Sequence, residues 1–193
     1  MQSAQANSMV AAALAAARQS GDALFDALEA LPDPIYVTDA TGLITGFNEA
    51  AVRFAGRRPA VGRDRWCVTW KLYTEAGEPL PHDRCPMATA IQEKRPVRGA
   101  YAVAERPDGT RVTFAPFPTP LIGDDGELVG AVNILIDVTD ARQTAELRAG
   151  AARCRRLAAD IGDRRTIEAL KAMAAECESK AAEMEARRAP PAG

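Results

Sequence analysis

The chain has 193 residues, 47% of them hydrophobic, and its 24 Lys+Arg nearly balance its 26 Asp+Glu. That apolar share supports a real core and argues against wholesale disorder, and the length allows one domain plus an appendage. The charge balance, with no basic stripe carrying interleaved aromatics, excludes nucleic acid as the expected partner. No apolar run approaches the roughly 20 residues needed to span a bilayer, so no membrane role is expected. The four cysteines (Cys67, Cys85, Cys154, Cys177) are scattered without a CxxC pair, which in a cytoplasmic chain predicts free thiols.

Residues 1–21 read as a flexible or helical N-terminal extension. The Ala-rich run Met9–Ala17 mimics a signal-peptide core but has no Lys or Arg before it. Met9 to Arg18 has helical propensity but little apolar bulk to dock it. Gly21-Asp22 then starts a short amphipathic helix with Leu24, Phe25, Leu28 and Leu31 at near-helical spacing and Asp22 as a cap; Pro32-Asp-Pro34 stops it. Ile35 to Phe47 reads as strand, turn, strand, with the turn over Asp39 to Gly42. Asn48 caps the helical segment Glu49–Ala55, which Gly56 ends.

Asp39, Gly42, Ile44, Asn48 and Ala50 fall on a D-x-x-G-x-I-x-x-x-N-x-A run. About a hundred residues on, an apolar strand from Leu128 closes on Asp137-Val-Thr-Asp140. Both features, in this order, resemble the PAS domain family: its opening strands and its closing strand with an Asp-Ile-Thr-Glu type exit. Here Val138 and Asp140 replace the usual Ile and Glu, and the resemblance covers about residues 22–140. It implies a PAS-like domain over 22–139, an α+β fold with an antiparallel sheet and helices on one face.

The middle of the chain suits that order. Residues 57–81 read as irregular and carry Trp66 and Trp70, which would pin the loop over the helices or form a recognition patch. Cys85 to Lys94 reads as a helix with Pro86 in its first turn. Arg98 to Arg106 and Thr110 to Leu121 read as strands joined at Pro107-Asp-Gly109. After the junction strand, with Thr139 or Asp140 as the expected N-cap, residues 140–188 carry two narrow seams. Thr144, Leu147, Ala151, Cys154, Ala158 and Ile161 form one; Ile167, Leu170, Ala174, Cys177, Ala181 and Met184 form the other. Gly162-Asp163 separates them as a stop and N-cap, which predicts an α-helical hairpin or coiled-coil element. Residues 189–193 read as a disordered tail.

Few residues offer chemistry. There is one histidine, His82, and no GxxxxGK[ST], GxSxG or HExxH motif; no enzyme is expected. His82 and Cys85 are the weak candidates for a metal or haem ligand, but the sequence supplies too few ligands for a zinc site, and a loop or capping role is the default. The flavin-binding subgroup of the family carries an N-C-R-F-L-Q run, which Arg65-Trp-Cys67-Val-Thr-Trp70 does not match, so no flavin is expected; the identity of any other cofactor stays open, with none the default and haem the minor alternative. Val37, Phe47, Val52, Met87, Ile91, Val103, Phe114 and Leu135 would line a cavity between sheet and helices if one exists, and are otherwise core. Asn133, polar within an apolar strand, needs a partner there: a ligand or, by preference, a protein group.

The resemblance implies signal transduction in a bacterial cytoplasm. A small molecule or partner would be sensed and relayed through Asp137, Thr139 and Asp140. The alternative is a ligand-free scaffold docking a histidine kinase or response regulator, and a haem or metal sensor is the weaker third. A homodimer is expected from the alanine-leucine seams and from the family's habit of pairing through its N-terminal helix.

Overall fold

A computed structural model describes residues 2–17, 22–160 and 163–188; Arg18, Gly21, Ile161, Gly162 and the 189–193 tail lie outside them. The chain divides into two units, Met1–Asp137 and Val138–Gly193.

Two helices, α1 (Gln2–Ala17) and α2 (Asp22–Glu29), precede the first strand. Pro32 and Pro34 follow α2 and cannot continue it. The chain then extends into β1 (Ile35–Asp39), turns, and returns as β2 (Ile44–Phe47). Asp39 holds the turn: its Oδ1 accepts from the Thr41 amide (2.8 Å), the Thr41 hydroxyl (2.8 Å) and the Leu43 amide (3.0 Å). Gly42, at φ 84°, supplies the left-handed residue. Helix α3 (Glu49–Ala55) starts on Asn48, whose side chain accepts from the Ala51 amide, and ends on Gly56 at φ 66°, as expected. The irregular stretch contains a short strand that patterning missed, β3 (Lys71–Tyr73); three residues are too few to show alternation. A 3-10 turn at His82–Arg84 leads into α4 (Pro86–Gln92).

Four strands follow: β4 (Ala102–Glu105), β5 (Arg111–Pro116), β6 (Thr119–Ile122) and β7 (Leu128–Asp137). The expected strand from Thr110 to Leu121 is broken at Phe117–Pro118. Proline lacks an amide donor, and Pro116, Pro118 and Pro120 recur within this stretch. All pairings are antiparallel, in the order β2-β1-β7-β5-β4-β3, with β6 beside β7. The central β7 meets β1 (Ile35 opposite Ile134, Asp39 opposite Gly130) and β6 along its first half, and β5 near its end.

The sheet has two covered faces. On one, Tyr36, Ile44, Phe114, Ala131 and Leu135 pack with Phe54, Met87, Ala88 and Ile91 of α3 and α4, and Phe54 meets Phe114 edge-on with ring centroids 5.3 Å apart. Burying a side chain of that size contributes about 1.5–3 kcal/mol. On the other, Ile35, Val37, Val132 and Ile134 pack with Ala13, Ala16, Leu24 and Leu28 of α1 and α2. The antiparallel α+β sheet with α3 and α4 on one face is therefore present, and the N-terminal helices add a layer on the other. The alanine-rich α1 does dock: Ala13 and Ala16 are buried, because small side chains let a helix lie close to a sheet.

The second unit is a helical hairpin, α5 (Thr139–Asp160) and α6 (Arg164–Arg188). Thr144, Ala151 and Ala158 of α5 and Ala174 and Ala181 of α6 are buried. Arg148 pairs with Glu185 (2.8 Å) and Arg155 with Glu178 across the hairpin. Asp163 caps α6, its Oδ2 accepting from the Thr166 amide (2.9 Å) and hydroxyl (2.6 Å). No helix among the described residues is long and apolar enough to cross a membrane.

Candidate functional site

Alternation along β1 sends Ile35 and Val37 to the α1/α2 face and Tyr36 and Thr38 to the α3/α4 face. Along β7 the same rule sends Val132 and Ile134 outward and Ala131, Asn133 and Leu135 inward. Tyr36 and Asn133 are opposite each other in the register. They therefore meet inside the domain, and a polar chain starts there.

Asn133 Nδ2 donates to the Tyr36 hydroxyl at 3.0 Å, and the Tyr36 hydroxyl donates to the Trp66 carbonyl oxygen at 2.8 Å. Asn133 Oδ1 accepts from the Phe117 amide at 2.9 Å, an amide also directed at the Ile134 carbonyl. The strand break at Phe117–Pro118 thus lies against the interior asparagine. The thiol of Cys85 also points at the Trp66 carbonyl, at 3.9 Å, and the Thr69 hydroxyl donates to Cys67 Sγ at 3.1 Å. Thr38, two residues along β1 from Tyr36 and opposite Ala131, is also buried, and its Oγ1 has no hydrogen-bond partner among the described residues.

Trp66 is held at φ 68°, with the Cys67 amide bonded back to the Arg65 carbonyl at 2.8 Å. A three-residue turn with positive φ at a bulky residue is strained. It turns the Trp66 carbonyl toward Tyr36 and Cys85. The ring lies against Gly42, where a Cβ would collide with it.

Burial pushes the Tyr36 phenol well above its ordinary pKa, and the neighbouring Cys67 and Cys85 add to this. Burial also raises the Cys67 thiol, with Thr69 acting the other way, and pushes Cys85 up to about 12, Cys67 again contributing. The cluster is therefore protonated at neutral pH. Its groups can donate and accept hydrogen bonds but do not supply a thiolate nucleophile.

The candidate cavity residues divide. Phe47, Met87, Ile91, Phe114 and Leu135 belong to the α3/α4-side core with Val52 packed on it, and Asn133 joins through Tyr36. Val37 does not: it lies on the α1/α2 face. Val103 does not either; it alternates with the buried Ala102 and Ala104 and is only half-buried. Both placements follow from the two-residue period of a strand, which puts Tyr36 and Val37 on opposite faces. Tyr36 and Thr38 were missed for the same reason, although Ile35 and Val37 as an apolar pair already implied an opposite face.

The tryptophans differ: Trp66 packs on the core, whereas Trp70 is 42% exposed with Lys71 Nζ 4.1 Å from its ring centroid. His82 is half-buried in the 3-10 turn. Burial lowers its pKa, nearby Arg57 lowers it further, and Asp83 opposes them. Among the described residues no group of three or more His, Cys, Asp or Glu could hold a metal ion, and Cys85 is committed to the interior cluster. At the junction, β7 runs to Asp137 and α5 begins at Thr139. The Val138 carbonyl accepts from the Arg142 amide at 2.9 Å, so Val138 takes the position before the helix and Thr139 and Asp140 lie in its first turn.

Residues 28–143 match the family described as the PAS fold. No curated protein matches the chain. Among solved structures, it is similar to the PAS domain of a protein from Colwellia psychrerythraea (21% identity over 59% of this chain and 92% of that one, TM-score 0.42). It is also similar to a LOV protein of Rhodobacter sphaeroides (12% identity, 95% and 99%, TM-score 0.44). A third similar structure is the LOV domain of a blue-light activated histidine kinase from Erythrobacter litoralis (22% identity, 56% and 98%, TM-score 0.44).

Proposed function

The chain belongs to the PAS fold family, and we propose that it acts as a sensor or adaptor in bacterial signal transduction, by binding and conformational change rather than catalysis. In this reading a small molecule or partner protein perturbs the Tyr36–Asn133 cluster. Strand β7 carries the change to Asp137, Thr139 and Asp140, where it biases the packing of the α5–α6 hairpin. One observation carries the reading: Asn133 sits in the interior network and on the strand that continues into α5.

A second reading is a ligand-free scaffold that docks a histidine kinase or response regulator in the cytoplasm, as a homodimer. The side chains that fill the interior favour it: Tyr36, Met87, Phe114 and Leu135 are all fully buried.

Native mass spectrometry of the freshly purified chain separates the two. A mass excess lost on denaturation supports the sensor, and the bare polypeptide mass supports the scaffold. Hydrogen exchange then tests the relay. Asn133→Ala should change protection at the start of α5 as well as in β7. Unchanged exchange in α5, with loss confined to the sheet, defeats the relay.

A further inference from the structure

The two hairpin cysteines occupy matched places. Cys154 immediately precedes Arg155, Cys177 immediately precedes Glu178, and Arg155 and Glu178 are an ion pair across the hairpin. One residue earlier on a helix is a rotation of about 100°. In an antiparallel pair both rotations lead across the seam to the same flank, the one opposite the ion pairs. One residue earlier on α5 and on α6 also moves in opposite axial directions by about 1.5 Å each, so the two thiols stay within about 3 Å of one level. The groove on that flank agrees: it is lined by Cys177 and Met184 of α6 and by Leu147 and Gly150 of α5, and Cys154 lies one helical turn beyond Gly150. The seam between the helices is built of buried alanines, Ala151, Ala158, Ala174 and Ala181. Small seam residues put two helices at the short end of the usual axial separation, about 8 Å, where facing cysteines come within the ~4.4–6.8 Å Cα separation a disulfide spans.

From this we infer that Cys154 and Cys177 are a redox modification site, a dithiol that closes to an intrachain disulfide stapling α5 to α6. The inference stands independently of the function proposed above. Both thiols are half-buried, whereas Cys67 and Cys85 are buried. A peroxide therefore reaches the hairpin pair before the interior pair.

The chemistry balances with hydrogen peroxide as oxidant. One cysteine, as thiolate, attacks a peroxide oxygen; an S–O bond forms, the O–O bond breaks, and hydroxide leaves and takes up a proton. The second thiolate attacks the resulting sulfenic acid; the S–S bond forms, the S–O bond breaks, and a second water leaves. Two thiols lose two electrons and two protons, and one peroxide becomes two waters.

The full-length chain, reduced and desalted, is treated with hydrogen peroxide at low protein concentration, alkylated and mapped by proteolysis and mass spectrometry. The expected result is a peptide pair joined through Cys154 and Cys177 in a chain of monomer mass, with the thermal midpoint of the helical signal raised and restored by dithiothreitol. Cys154→Ser and Cys177→Ser should each abolish both the link and the shift. Two alkylated hairpin thiols, a link between chains, or overoxidation at either cysteine without a link would overturn the inference.

Discussion

The hydroxyl of Tyr36 donates to the carbonyl oxygen of Trp66 at 2.8 Å, and Trp66 is the one residue of the polar cluster held at positive φ. The strained turn and the buried phenol support each other. Tyr36→Phe keeps the ring and removes the hydroxyl, leaving Asn133 Nδ2 without this acceptor and the Trp66 carbonyl with only the long Cys85 contact. A buried group left unsatisfied costs about 1–3 kcal/mol. The urea midpoint should fall by that equivalent with the slope unchanged. An unchanged midpoint would mean that the network does not hold the turn.

Gly42 packs against the ring of the same tryptophan. At φ 84° a side chain is disfavoured, and a Cβ there collides with the Trp66 ring. Gly42→Ala should combine the roughly 1–2 kcal/mol of the left-handed conformation with the roughly 1–3 kcal/mol of overpacking. Gly62, also at positive φ but with open space around it, should lose only the first part on the same substitution. Comparing the two by denaturant unfolding isolates the ring contact.

How much of this was legible depended on the physics at each position. The Asp39–Gly42 turn, the Asn48 cap and the Asp163 cap were readable because each is a local side-chain-to-backbone device with a fixed residue type. The hairpin was readable because its seams repeat over several turns. The sequence reading did not separate the two faces of the short strands at Val37 and Val103, although alternation was available for β1. Trp66 at positive φ, the two-acceptor sharing of the Phe117 amide and the docking of α1 depend on contacts distant in sequence, and no local pattern announces them.

His82 should give the domain a titration step. Burial first, and then Arg57, holds its pKa below the ordinary 6.5. The unfolded chain therefore binds the proton before the folded one as pH falls. Stability is fully present above about 6.5 and declines below it, toward the lower folded value. His82→Gln should flatten the pH dependence of the unfolding midpoint in that window and leave it unchanged at pH 8. An equal slope in the variant would assign the window to other groups.

Asn48 offers the sharpest substitution, because both ends of its amide are used. It is fully buried. Its Oδ1 accepts from the Ala51 amide at 3.0 Å, capping α3, and from the Ile35 amide at 3.1 Å. Its Nδ2 faces the carbonyls of Leu28 (3.2 Å), Leu31 (3.1 Å) and Asp33 (2.7 Å). One side chain thus joins the end of α2, the entry to β1 and the start of α3. Asn48→Ala removes a cap worth about 0.5–2 kcal/mol and leaves buried backbone groups unsatisfied at about 1–3 kcal/mol each, so a loss of at least about 3 kcal/mol is expected. Asn48→Asp is the discriminating variant. At an exposed N-cap Asp serves as well as Asn, but here its second oxygen would face three carbonyl oxygens in place of a donor. If the amide works as a tie among three segments, Asp should destabilise about as much as Ala. If capping is its whole contribution, Asp should be close to wild type. Equilibrium unfolding at pH 7 of the three proteins decides between them.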